Sequence, residues 1–143
     1  MKTVTFCGHG NLSYAETERI RIRLKDEIES LILKGAPEFL LGGYGDFDRL
    51  CAQTVSVLQR SYPYIHTVLV VPYLNREYNT DFYDCTEYPP IEAVPPRYAI
   101  VKRNEYMIDR ADAVIAYVIY TFGGAWTTLE YARKRGKEFI KVD

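Results

Sequence analysis

The stretch Ala113–Tyr131, AVIAYVIYTFGGAWTTLEY, constrains the chain most. From Ala113 to Ile119 it carries no charge, and Val and Ile dominate. That composition suits a central parallel strand covered on both faces. The run then meets Gly123-Gly124, and a helix is expected to begin near Trp126–Thr128. Glycine lets the backbone turn sharply and lie close to a bound group. The free N–H groups of the next helix point at that group, where an anion is favoured. Thr127 and Thr128 add hydroxyl donors. Strand, glycine turn and helix N-terminus make a phosphate cradle; a βα turn that uses glycine only for packing is the alternative.

The same unit recurs along the chain. Thr3–Cys7 reads as a first strand and ends in Gly8-His9-Gly10. Ile20, Leu24, Ile28 and Leu31 then recur at helical spacing over 14–33. Ser13 is the expected N-cap, with Glu16 and Glu18 early in the helix. Gly35 ends it and Pro37 blocks its return. Glu38–Leu41 is a second strand, followed by Gly42-Gly43-Tyr44-Gly45. Asp46 is placed to cap a helix that runs to about Arg60 on Phe47, Leu50, Cys51, Thr54, Val55 and Leu58. His66–Val71 is a third strand, stopped by Pro72. After a long insertion, 98–109 is helical, 113–119 is the fourth strand, 127–135 the last helix and 138–142 the last strand.

Strands alternating with helices predict a three-layer α/β/α, Rossmann-like domain with a mostly parallel sheet of about five strands. Right-handed crossovers put every strand C-terminus on one edge. The three glycine turns then converge there, where ligands bind in such folds. The whole chain, 1–143, reads as one domain. Its insertion, at about 73–97, is rich in Tyr and Pro and lacks a steady period, so a long loop with a short helical turn is expected. Loops of that length are uncommon in compact domains unless functional. Eight of the 13 tyrosines fall between Tyr62 and Tyr106, and tyrosine suits a half-buried lid, an interface or a base-stacking wall.

Composition narrows the partners. The net charge is −1, which argues against nucleic acid. No apolar run is long enough to span a membrane, and the apolar part of MKTVTFCGHG is too short for a signal peptide. The three cysteines, Cys7, Cys51 and Cys85, show neither CxxC nor zinc spacing. A reducing cytoplasm is the simplest setting. No Walker motif, Ser-His-Asp arrangement or metal cluster is evident, so neither a cofactor nor a metal is expected.

Five segments carry a resemblance: VTFCGHG, FLLGGYGDFDRLCA, VLVVPYLN, KRNEYMIDRADAVIAYV and FGGAWTTLEYARKRGK. Together they resemble the SLOG superfamily, the Rossmann-like domains of Smf/DNA-processing protein A and the LOG enzymes. The likeness is greatest to a branch of short standalone members from bacteria and their phages. LOG enzymes are phosphoribohydrolases that cut the base–ribose bond of nucleoside monophosphates. Their signature is similar to PGGxGTxxE with an upstream RKxxM. Gly123, Gly124, Thr127 and Glu130 match the first here, and Arg103 and Met107 the second. Phe122 stands where LOG enzymes have proline, Trp126 where they have the third glycine, and Asn104 where they have lysine. Related SLOG domains sense nucleotide-derived signals without turnover, and the resemblance also implies a homo-oligomer such as a dimer.

Two functions follow. The first is a binding module for a nucleotide or nucleotide-derived small molecule, in a sensor or sequestering role. Its expected ligand-binding residues are Gly8, His9, Gly10, Gly42, Gly43, Gly45, Asp48, Gly123, Gly124, Trp126, Thr127 and Thr128. The alternative is a LOG-like hydrolase with Arg103 and Glu130 as catalytic residues. Glu130 would serve as an acid/base or stabilise charge on the ribose; a surface helix glutamate is the bland option. Arg103 would pair with a phosphate or with Glu130. His9 is a phosphate donor or base, or else a loop histidine with local bonds. Asp48 accepts from ribose hydroxyls or caps its helix. Trp126 is expected to crowd the turn between the glycine pair and the helix start, which favours binding over turnover. Tyr98, Tyr106 and Tyr117 are candidates for contact between protomers.

Overall fold

The computed structural model describes residues 2–143. Its sheet has six strands, one more than expected, in the order β4-β3-β2-β1-β5-β6, and every pairing is parallel. The strands are β1 (Thr3–Gly8), β2 (Glu38–Leu41), β3 (His66–Val70), β4 (Cys85–Glu87), β5 (Ala113–Tyr117) and β6 (Glu138–Lys141). The helices are α1 (Tyr14–Leu33), α2 (Asp46–Leu58), α3 (Ala99–Arg110) and α4 (Gly124–Lys134).

Alternation along the strands divides the core. Val4, Phe6, Phe39, Leu41, Ile115 and Tyr117 face α1 and α2, which bury Ile20, Leu24, Ile28, Phe47 and Val55 against them. The intervening Cys7, Val114 and Ala116 face the other way, towards Ile108 of α3 and Leu129 of α4. Leu40, Val68 and Val70 on that face pack on Met107 of α3. Period-two alternation thus supplies both faces of one sheet, and the helical stripes read from sequence cover them. Each fully buried Leu or Ile adds about 1.5–3 kcal/mol of transfer free energy, a term that chain entropy largely offsets.

α1 begins at a capping box: the Glu16 N–H donates to Ser13 Oγ at 3.0 Å and the Ser13 N–H to Glu16 Oε1 at 3.1 Å. α2 differs from expectation. Its N-cap is Gly45, at φ 95°, and Asp46 is the first helical residue. The Asp46 carboxylate instead accepts the Leu12 N–H at 2.9 Å, while the Asp46 N–H donates to the Gly10 carbonyl at 2.8 Å. The first two glycine loops are thereby tied together. A side chain on Gly45 would stand 2.7 Å from the Gly10 Cα, so close approach as well as φ requires glycine there.

The insertion holds the sixth strand. Cys85–Glu87 pairs with Val68–Val70 at the sheet edge. It is short, exposed and partly charged, as edge strands commonly are, so it shows no buried alternation. Asp84 anchors it by accepting the Thr67 N–H and the Gln59 side-chain amide, both at 2.8 Å. A 3₁₀ turn at Pro96–Tyr98 leads into α3. Two of the tyrosines expected at a protomer contact serve elsewhere: Tyr117 is fully buried and donates to Glu16, and Tyr106 donates to Glu87. Tyr98 remains exposed.

Candidate functional site

From β1 the chain crosses through α1 to β2 on one side, and from β5 through α4 to β6 on the other. The strand order therefore reverses between β1 and β5, and the crevice outside their C-terminal ends is where such folds take a ligand. A cavity of about 290 Å³ opens there. It is lined by the end of β1 and its loop, Phe6–Gly10; by Tyr44 and Asp48; by one face of α3 at Ile100, Arg103, Asn104 and Met107; and by Gly124, Ala125 and Thr128 of α4. Seven expected residues meet in it: Gly8, His9, Gly10, Asp48, Arg103, Gly124 and Thr128.

The other expected residues lie outside the cavity lining, each for a local reason. Gly42 packs on Arg103, where an added Cβ would lie 2.9 Å from the guanidinium carbon. Gly43, at φ 70°, lies over Leu69, and Gly45 serves the loop contact described above. Gly123, at φ 90°, is the N-cap of α4, and its carbonyl accepts both the N–H and the hydroxyl of Thr127, each at 3.0 Å. Because α4 starts at Gly124, Trp126 is already inside its first turn. The indole packs against the core around Ile108, Val118 and Leu129 and does not crowd the glycine turn, contrary to expectation. Glu130 pairs with Arg133 at 3.3 Å. The carboxylate acted on by the charge of Arg103 is that of Asp48, and Arg103 and Glu130 form no ion pair among the described residues.

Arg103 is buried, and two of its three guanidinium nitrogens make hydrogen bonds. Its Nη1 donates to the Gly42 carbonyl at 3.0 Å and the Val70 carbonyl at 2.9 Å, and its Nε donates to Asn104 Oδ1 at 2.9 Å. It fastens α3 to the ends of β2 and β3. Asp48 lies in its field. Burial raises the Asp48 carboxyl from 3.8 to about 6, opposed by Arg103 and by the N–H groups of Tyr44 and Gly42. The only side-chain hydrogen bond of this carboxylate is a long one, 3.5 Å, accepted from the Tyr44 N–H. Yet among the described residues no fully buried side-chain polar atom lacks a partner. The second carboxylate oxygen is therefore not fully enclosed, and Asp48 lines the cavity. Cys7 beside it is pushed up to about 12, by burial first and then by Asp48, so it is a packed thiol and not a nucleophile.

His9 closes the other side. Its Nε2 accepts the Ile119 N–H at 2.9 Å, so the neutral ring carries its proton on Nδ1. Burial lowers its pKa, with Glu16 and Asp143 opposing. The ring meets Tyr120 at 4.9 Å between centroids, and Tyr120 stacks on Phe122 at 5.4 Å. Both are exposed, so an aromatic ladder runs from the cavity wall to solvent. On the α4 side, the N–H groups of Gly124, Ala125 and Trp126 belong to the first turn, where no helical acceptor exists. A side chain on Gly124 would meet nothing within 4 Å, and its φ is not positive. The fold itself does not require glycine there.

The sequence reading missed Tyr44, Ile100, Asn104 and Ala125 as lining residues. The spacing of Ile100, Arg103, Asn104 and Met107 marks one helical face, and extending that face from the RKxxM resemblance would have found Ile100 and Asn104. Among the described residues, no three His, Cys, Asp or Glu side chains gather to hold a metal ion. No helix among them is long and apolar enough to cross a membrane.

No family model matches the chain. It is 26% identical over 142 residues to the uncharacterized SPbeta prophage-derived protein YoqJ of Bacillus subtilis (strain 168), covering 79% of this chain and 82% of that one. Its fold is that of DNA processing protein A from Streptococcus pneumoniae, with a TM-score of 0.70 at 18% identity over 98% of this chain. The chain spans 50% of that protein's length. DNA processing protein A from Helicobacter pylori, described for its single-stranded DNA binding mode, gives a TM-score of 0.63 at 17% identity, over 97% of this chain and 64% of that one. TM1055 gives 0.63 at 18% identity, over 97% and 72%. At these identities the likeness is one of fold.

Proposed function

We propose that this protein binds a nucleotide or nucleotide-derived small molecule at the glycine edge of its sheet and holds it without turnover, as a sensor or sequestering module. One observation carries this: four separate segments bring Gly8–Gly10, Asp48, Arg103 and the α4 N-terminus to a single cavity at the topological switch point. The backbone N–H groups of Gly124 and Ala125 offer the phosphate its donors.

Against hydrolysis stands the placement of the carboxylates. Glu130 pairs with Arg133 outside the cavity lining, and the Nη1 and Nε of Arg103 are committed to two backbone carbonyls and Asn104. Single-stranded DNA, named for the Helicobacter relative, is a further reading, supported here by the exposed Tyr120 and Phe122. The net charge of −1 weighs against it.

The test is thermal melting with a panel of nucleoside monophosphates, alongside an assay for released base. A ligand at 100 times its Kd stabilises the fold by about 2.7 kcal/mol, a rise of roughly 5–10 °C for a domain of this size. Gly124→Asp sets a carboxylate at the cradle without disturbing packing and should abolish the rise. Robust base release that is lost in Glu130→Gln would establish the hydrolase instead. A homodimer in a reducing cytoplasm completes the proposal: Tyr98, Ile100 and Val101 form an exposed apolar stretch entering α3, and all three cysteines are unpaired. A monomeric mass by light scattering at tens of micromolar would remove the dimer.

A further inference from the structure

The cavity contains one group that a phosphate would avoid. Asp48 sits on its wall; the Tyr44 N–H reaches one carboxylate oxygen at 3.5 Å, the Gly42 N–H also faces the carboxylate, and neither locks it in an ion pair. An ionised carboxylate can only accept hydrogen bonds. The part of a ligand that meets it must therefore carry donors and no negative charge. The phosphate belongs at the far wall, where Gly124 and Ala125 present N–H groups and Gly124 leaves open space. Between those two walls lies about 290 Å³, near the lower end of small-molecule sites. The space suits a phosphate and the group attached directly to it. The base is left at the mouth, against the exposed Tyr44 and Ile100.

We propose, resting on the nucleotide reading above, that Asp48 is the specificity residue of this site: its carboxylate accepts from the vicinal hydroxyls of a ribose and so selects ribonucleotides over deoxyribonucleotides. The sugar is the group next to the phosphate, and its 2′- and 3′-hydroxyls are two adjacent donors that one carboxylate can engage. Arg103 opposes the burial of Asp48 through its field, while its Nη1 and Nε donate to Gly42, Val70 and Asn104 and not to Asp48. Asp48 therefore keeps free acceptor capacity, which a carboxylate locked in a bidentate ion pair would not have. A deoxy sugar would bury that acceptor without a donor, a loss of about 10- to 100-fold in affinity for a hydrogen bond to a charged group.

The experiment is isothermal titration of the whole protein at pH 8 with adenosine and guanosine 5′-monophosphates and their 2′-deoxy and 3′-deoxy counterparts, on wild type and Asp48→Asn. Expected is at least a tenfold preference for the ribonucleotides in wild type, with the preference gone in Asp48→Asn. The sugar comparison in wild type needs no variant, so a folding defect in Asp48→Asn leaves it intact. Equal binding of ribo and deoxy forms by wild type overturns the role of Asp48 and leaves the nucleotide reading standing. A preference that survives in Asp48→Asn also overturns it, assigning the sugar to another group. Binding of none of the nucleotides overturns both.

Discussion

Arg103 links the fold to the site, and replacing it with methionine separates two views of its role. The side chain is 3% exposed and donates three hydrogen bonds. Arg103→Met keeps much of the length and apolar stem but orphans the buried carbonyls of Gly42 and Val70. Each stranded acceptor costs about 1–3 kcal/mol. Asp48 also loses the nearby cation that opposes the effect of its burial. These terms overlap, and methionine recovers some packing, so the expected net loss is about 3–5 kcal/mol. For 143 residues the unfolding entropy makes 1 kcal/mol worth roughly 3 °C, so the melting temperature should fall by about 10–15 °C. Urea denaturation at pH 7.5 measures this directly, and the slope m should stay unchanged because the surface exposed on unfolding does not change. Arg103→Lys, which keeps a charge but loses the fork, should fall between the two. If Arg103 were instead a free ligand-handling residue, Arg103→Met would abolish binding at nearly wild-type stability. A loss below about 1 kcal/mol would refute the staple described here.

Asp48→Asn should act the opposite way. The folded protein holds the Asp48 proton more tightly than the unfolded chain, so its ionisation costs stability, a cost absent below 3.8 and complete above about 6. Arg103, Cys7, Cys51 and Tyr83 are the titratable or charged groups around it. Asp48→Asn should therefore be more stable than wild type at pH 8, by about 1–3 kcal/mol. That gap should close as pH falls through 6 towards 4; urea titrations at pH 4.5 and 8 decide it, and a less stable variant at pH 8 would reverse the sign assigned to this carboxylate. His9 is held neutral, so its contribution is present above 6.5 and lost as pH falls through and below that value. The protection factor of the Ile119 amide, which donates to His9, should fall over that range, and a pH-independent protection factor would contradict the bond. Gly8→Ala puts a methyl 2.2 Å from the Phe47 ring and should destabilise by about 1–3 kcal/mol, partly relieved by Phe47→Leu. Full stability in the single variant would show that Gly8 is not fixed by packing.

Much of this architecture was legible because each signal was local. The charge-free run at 113–119 gave a buried strand, and Ile20, Leu24, Ile28 and Leu31 gave a helix face, since one period fixes one face. Ser13 and Glu16 marked their helix start through a bond pattern that spans four residues. The sixth strand was not legible: Cys85–Glu87 is held by an edge pairing and by Asp84 reaching back to Thr67, contacts of long sequence separation with no apolar period. Site residues divided the same way. The glycine turns found the edge of the sheet, but which glycines face a ligand depended on packing partners such as Leu69, Phe47 and Arg103. Trp126 was misplaced because α4 starts two residues before the expected position, and that shift turns the indole towards the core.

A ¹H–¹⁵N correlation spectrum of this 16.6 kDa protein, titrated with ribonucleotides, tests the central claim most directly. Saturable shifts centred on the amides of Gly8, His9, Gly10, Tyr44, Asp48, Gly124, Ala125 and Thr128, absent in Gly124→Asp, are the predicted result. A spectrum unmoved by every ribonucleotide at millimolar concentration, or saturable shifts centred on α1 and on the later turns of α2, away from Asp48, would contradict it.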